Sequence, residues 1–205
     1  MAKKLKFLVI HCTATPEGRN VTVDDIVLWH RGAFKNPPDK NGVVLYTFLG
    51  KRYTIEQLRQ QTLTLPSGRK VSADKTNGRG WSALGYTNMF LLDGTNVKIS
   101  ANNEDGYVDS WEITNGVVGI NCNARHVTYA GGTERNNVNK AKDTRTPAQL
   151  AALEKFVKQF VGNHPGILIA GHDQFAAKAC PSFNTIEWCR SIGIPERNIY
   201  NPLKK

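Results

Sequence analysis

The sequence has no long apolar run, few cysteines and a shortage of acid. Behind the charged start Met1-Ala2-Lys3-Lys4-Leu5-Lys6, the apolar run covers only Phe7 to Ile10 before His11 interrupts it. That is too short for the core of a signal peptide or for a membrane span. Synthesis in the cytosol is therefore expected, without membrane insertion, and any export needs outside help. Four cysteines (Cys12, Cys122, Cys180 and Cys189) are too sparse for a disulfide scaffold, which agrees with a reducing compartment. No repeat or low-complexity tract is visible, and at 205 residues one domain with insertions is the default. Acidic residues number 17 against 27 Lys and Arg, a net charge of +10. Such a balance suits a polyanionic partner: nucleic acid, an anionic lipid surface or an anionic cell wall. Charge alone does not choose among these, and a merely basic surface gives the same number.

What is present reads as an α/β protein. Leu5 to Cys12 is β-branched or apolar at nearly every position, as in a central strand covered on both faces, and it ends in His11-Cys12-Thr13-Ala14-Thr15. Strand alternation puts His11 and Cys12 on opposite faces, so at most one of them points into a given site. Thr22-Val23-Asp24-Asp25 opens a helix with a Thr cap and an acidic residue three later, and Gly32 closes it. Trp29 and His30 on this helix are expected as core or supporting residues. From Phe34 to Gly80 turn signals accumulate, and nine basic residues face three acidic ones, a net of +6. This stretch is read as a basic inserted subdomain, with a short helix over Thr54–Gln61 and a hairpin about Ser67-Gly68.

Gly85 to Leu92 reads as a strand that Asp93-Gly94 turns into a second, over Asn96–Ser100. Another strand covers His126–Ala130 and ends at Gly131-Gly132, and Thr133 to Arg145 reads as a loop. Thr146-Pro147-Ala148-Gln149 starts a helix with a Thr cap, a first-turn proline and a capping-box Gln. Leu150, Leu153, Val157 and Phe160 form its buried stripe. A strand over Ile167–Gly171 and a short helix over about Thr185–Ser191 complete a central β-sheet flanked by helices.

The chemistry collects at Gly171-His172-Asp173-Gln174-Phe175-Ala176-Ala177-Lys178-Ala179-Cys180-Pro181-Ser182-Phe183. His172 and Cys180 are too far apart for one helical face and too close for separate elements, so a loop brings them together. Imidazole nitrogen and thiolate sulfur suit Zn²⁺, at about 2.0–2.1 Å and 2.3 Å. Two donors do not make a site. On spacing alone the pair fits either a metal or a packed histidine beside an inert buried cysteine.

The runs His11-Cys12-Thr13-Ala14-Thr15, Trp29-His30, Gly85-Tyr86, Gly131-Gly132, the Thr-Pro-Ala-Gln helix start and Lys178-Ala179-Cys180-Pro181-Ser182-Phe183 stand in one order. In that order and spacing the chain resembles the zinc-dependent N-acetylmuramoyl-L-alanine amidases, and in particular single-domain phage lysozymes of the T7 type, which share their fold with peptidoglycan recognition proteins. The resemblance covers residues 5–33 and 81–192 and leaves out the basic 34–80 stretch. It implies a single zinc amidase domain over 1–205, with a mixed sheet, one Zn²⁺ per chain and His11, His172 and Cys180 as donors. It implies Tyr86 and Lys178 as catalytic groups. His126 falls where the family usually has a small residue and is read as a non-ligand. Relatives often carry a histidine just before a Gly-Ile-Asn-like stretch, where this chain has Asn115-Gly116.

The implied reaction is hydrolysis of the amide between N-acetylmuramic acid and L-alanine in bacterial peptidoglycan, by a phage or prophage endolysin that acts on the wall after release. Lys178 would donate to the tetrahedral oxyanion, and Tyr86 would hold the water or share that charge. Asp173 either orients a ligand or is a simple turn residue. The competing reading is a peptidoglycan-binding module without catalysis, which a missing thiolate would favour. A nucleic-acid binder is not expected: Tyr46, Phe48 and Tyr53 lie in apolar-looking runs, not in a platform interleaved with the charges. A monomer is expected.

Overall fold

Phe7–Cys12 (β1) is the middle of the chain's largest sheet, and its residues from Leu8 onward are buried on both sides. The computed structural model describes residues 1–203. Around β1 stand Asn88–Phe90 (β2), Asn96–Lys98 (β3), Ala124–Tyr129 (β4) and Leu168–Gly171 (β5), in the order β3-β2-β4-β1-β5. β1 runs parallel to both β4 and β5, and β4 runs parallel to β2. Only β3 is antiparallel, paired to β2 across the Asp93-Gly94 turn. The sheet is thus mixed, as the resemblance implies, with the antiparallel hairpin at its edge.

The two faces do different things. Leu8, Ile10 and Cys12 of β1 point with Phe90, Val127, Tyr129 and Ile169 into the main core. Helix Pro147–Asn163 (α1) covers that core with Leu153 and Val157, and Thr185–Ser191 (α2) adds Cys189. Removing Leu153, which is 1% exposed, would cost about 2–5 kcal/mol, because a close-packed site collapses only partly. The start of α1 is as its sequence suggests. Thr146 Oγ1 accepts from the Gln149 N–H at 3.1 Å, and Gln149 Oε1 accepts from the Thr146 N–H at 3.0 Å. Gln149 does more than cap. Its Nε2 also donates to the carbonyls of Phe90 and Ala130, tying α1 to the ends of β2 and β4. The buried stripe is accordingly Gln149, Leu153 and Val157, and Leu150 and Phe160 are only half-buried. The opposite face carries Val9 and His11, His126 and Thr128, and Ala170.

The predicted loop over Thr133–Arg145 is in part a strand. Asn137–Ala141 pairs with Gly132–Glu134, which pairs with Thr15–Pro16 in a second small sheet. All five residues of Asn137–Ala141 are exposed, so backbone pairing and not an apolar face holds them, and no alternating pattern marks them in the sequence.

A separate compact unit spans Val21–Gly85. It begins ahead of the compositional change at Phe34. The Val23–Arg31 helix, opened by the Thr22–Asp25 capping box, receives backbone N–H groups of Arg79 and Trp81 on the carbonyls of Trp29 and His30. Gly80 and Gly78 donate likewise to Gly32 and Ala33. A side chain at Gly78 would overlap the backbone of Leu28 and Gly32. The helix at Thr54–Gln61 is a single turn, Ile55–Leu58, and Thr62–Thr64 pairs with Lys70–Ser72 as the predicted hairpin. Phe48 is buried and lies edge-on to half-buried Tyr53. Among the described residues no helix is long and apolar enough to cross a membrane.

Candidate metal centre

The site is assembled by strand register. β5 pairs Ala170 with Val9 of β1, so two residues further on His172 stands beside His11 on one face. The ring centroids of these histidines are 4.7 Å apart. The chain then loops from His172 to Cys180 and is closed by the Asp173 N–H donating to the Cys180 carbonyl at 2.7 Å. Further bonds hold the return of this loop. Tyr129 Oη donates to the Pro181 carbonyl at 2.7 Å, and Ser182 Oγ donates to the Gly132 carbonyl at 2.7 Å. At its start, Gln174 Oε1 accepts from the Gly171 N–H while Gln174 Nε2 donates to the Tyr200 carbonyl. Gly132 has φ +110°, and a Cβ there would overlap the Cys12 sulfur, so only glycine fits this crossing.

One donor atom from each of His11, His172 and Cys180 lies within 4.8 Å of the others. His11 is 1% exposed, and the other two are half-buried. Cys180 Sγ is 3.7 Å from His11 Nδ1 and accepts the Cys12 N–H at 3.2 Å. Two imidazoles and a sulfur already receiving an N–H form a donor set that fits a borderline-soft dication such as Zn²⁺. A set of three such residues could hold an ion with one position left for water, as catalytic zinc sites do.

Charge is arranged around these groups. A hydrogen bond from Cys180 brings the Cys12 thiol down to about 7, whereas the same contact and burial push Cys180 up. Burial, and then the nearby ammonium of Lys178, lower His172 below the ordinary histidine value. Lys178 itself is exposed. The Tyr86 ring centroid is 5.2 Å from that of His11. Asp173 has its carboxyl raised by burial, offset by the N–H groups of Asp173 and Gln174, the contacts of a turn residue.

The other histidines stand outside the donor group. His30, in the Val21–Gly85 unit, is buried, accepts the Gly85 N–H on Nδ1 at 3.1 Å, and is lowered to about 4 by burial and then by Arg79. His126 is 0% exposed and is lowered to about 3 by burial and then by His172. It lies outside the group of His11, His172 and Cys180, but its Nδ1 is 3.1 Å from His11 Nε2. The sequence reading missed that contact and the Cys12 amide. The available signal was a polar residue inside an apolar strand, which marks burial but not its partner.

No family model matches the chain. The endolysin of Enterobacteria phage K11 is 30% identical over 113 residues, 55% of this chain and 68% of that protein. The endolysin of Escherichia phage T7 is 24% identical over 181 residues, 88% of this chain and 83% of its own. Among solved structures, N-acetylmuramoyl-L-alanine amidase LysC from Clostridium intestinale URNW has a TM-score of 0.53 at 16% identity, covering 95% of this chain and 91% of that one. Peptidoglycan recognition protein-LE in complex with tracheal cytotoxin has a TM-score of 0.54 at 13% identity, covering 100% and 89%. At such identities the structural likeness establishes the fold.

Proposed function

The chain belongs to the phage endolysin family, on an amidase- and peptidoglycan recognition protein-like fold, and from that premise we propose that it is a zinc-dependent N-acetylmuramoyl-L-alanine amidase. The bond cut joins the lactyl carbonyl of N-acetylmuramic acid to L-alanine in bacterial peptidoglycan. The carrying observation is the convergence of His11, His172 and Cys180 within 4.8 Å. A module that only binds peptidoglycan has no need of a thiol beside two imidazoles.

Zn²⁺, when bound, supplies Lewis acidity to the scissile carbonyl and acidifies water. His11, His172 and Cys180 would hold it, and the chain's other groups do the rest. Lys178, on the loop between His172 and Cys180, donates from its ammonium to the oxygen that becomes negative as the planar amide turns tetrahedral. Tyr86, beside His11, orients water or shares that charge through its hydroxyl. The excess of basic residues supports attraction to an anionic wall. We read the chain as one amidase domain carrying the basic 34–80 stretch as an insertion, acting as a monomer on the wall after release from the cell.

Digestion of purified peptidoglycan tests this directly. New L-alanine amino termini are expected, lost on chelation and in Cys180→Ser. New reducing sugar ends would make the protein a glycosidase and overturn the reading. Retention on sacculi with neither product would make it a binding module.

A further inference from the structure

His126 shares a sheet face with His11 without joining the group of His11, His172 and Cys180, and strand register explains how the two histidines meet. β4 pairs His126 with Val9 and Thr128 with His11, so the two imidazoles lie on a diagonal of the same face. Their ring centroids are 5.2 Å apart, tilted by 58°, and His11 Nε2 is 3.1 Å from His126 Nδ1. His126 is fully buried, and its Nε2 has no hydrogen-bond partner among the described residues. A Cβ at Gly116 would overlap the imidazole, so Gly116 leaves room for the ring and packs directly on it.

Valence then places the protons. Cys180 Sγ is 3.7 Å from His11 Nδ1, so Nδ1 is the nitrogen facing the other donors. An imidazole that gives its Nδ1 lone pair to a cation carries its own proton on Nε2. That N–H points at His126 Nδ1, which accepts only if it is bare, so the His126 proton sits on Nε2. A proton on His126 Nδ1 would set two N–H groups against each other.

We propose that His126 is a positioning residue: its Nδ1 lone pair fixes the tautomer and ring orientation of His11 so that His11 Nδ1 is presented to the metal. The inference rests on the reading of His11, His172 and Cys180 as zinc donors. Metal-ligating histidines commonly donate their second N–H to a carboxylate or a carbonyl. A neutral imidazole in that place orients the ring without adding a negative charge, so Cys180 stays the only anionic donor and the cation keeps more of its Lewis acidity.

The test is zinc affinity of the full chain, by competition with a chromophoric chelator, for the wild type, His126→Leu and His126→Asn. Leucine fills much of the ring's volume without an acceptor, whereas the asparagine carbonyl stands close to where Nδ1 stood. Loss of such a partner typically costs about 10–100-fold in metal affinity. The leucine variant should weaken zinc binding by that factor while still taking one equivalent at saturation, and asparagine should recover most of it. Nitrogen NMR of the zinc-loaded wild type should show both His11 and His126 protonated on Nε2. Wild-type affinity in the leucine variant, or equal weakening in both variants, overturns the proposal. If the leucine variant does not fold, the wild-type spectrum decides, and a proton on His126 Nδ1 overturns it. A wild type that binds no zinc brings down the metal reading and this inference together. Tight wild-type binding that His126→Leu leaves untouched brings down only this inference.

Discussion

The backbone N–H of Cys12 donates to Sγ of Cys180 across 3.2 Å, so the strand that presents His11 also supplies a donor to the sulfur beside it. An oxygen at the same position could accept that N–H too. Cys180→Ser should therefore keep the loop closed and the fold intact while removing the thiolate, and a hydroxyl is a far poorer zinc ligand. The expected result is a folded protein with little bound zinc and amide hydrolysis at background. Metal analysis and circular dichroism on one preparation check it. Full zinc content in this variant would mean that another residue is the third donor.

Arg69 and Lys70 are exposed, on the hairpin of the basic unit. If their role is long-range attraction to an anionic wall, ionic strength should decide their worth, because exposed charges are largely screened beyond about 8 Å at physiological salt. Reversing both charges should weaken binding to whole sacculi in low salt and have little effect in high salt. Hydrolysis of a small soluble muropeptide should be unchanged at either. A loss on the small substrate at every salt concentration would instead show that these residues shape catalysis.

His30 gives the Val21–Gly85 unit a pH dependence of definite sign. Burial and Arg79 lower it from 6.5 to about 4 in the folded protein, so between those values the unfolded chain binds more protons. Its neutral form thus supports stability fully above about pH 6.5, and that support is lost as the pH falls toward 4. Between pH 7 and pH 5 the loss is about 2 kcal/mol. His30→Asn keeps an acceptor near the Gly85 N–H and removes the titration. Any packing cost is the same at both pH values and cancels in the difference. Urea unfolding of both proteins at both pH values should show the wild type losing about 2 kcal/mol more than the variant. Equal losses would show that another group carries the acid sensitivity.

Local chemistry made much of this fold legible. The Thr22 and Thr146 caps, the Asp93-Gly94 turn and the apolar run into His11 each act within a few residues, and each element forms where its signal stands. The site was legible in a different way. His172 and Cys180 are joined by one loop, but His11 lies 169 residues before Cys180, and only the resemblance linked them. His126 was harder still, because its meaning depends on β4 pairing with β1 so that His126 faces Val9. No periodicity within one strand encodes that register. Asn137–Ala141 escaped for the opposite reason: all its residues are exposed, and backbone pairing beside the Lys140–Glu134 ion pair leaves no apolar pattern to read.

Variants of Lys178 and Tyr86 test catalysis apart from binding. If Lys178 donates to the oxyanion, its ammonium interacts more strongly with the tetrahedral intermediate than with the planar amide. Losing it should then lower kcat more than it raises KM. Loss of one such donor typically costs about 10²–10³ in kcat. Because Lys178 is exposed, Lys178→Ala removes little packing, and the protein should keep its fold and its zinc and still pull down peptidoglycan. Tyr86→Phe keeps the ring beside His11 and removes one hydroxyl, so its loss should also fall on kcat. Zinc content, sacculus retention and amide hydrolysis measured on the same preparations distinguish the cases. A variant that has lost zinc reports on the metal site and not on these roles. Near-normal hydrolysis in both variants, with zinc in place, would assign the oxyanion to the metal alone and end the roles given to Lys178 and Tyr86.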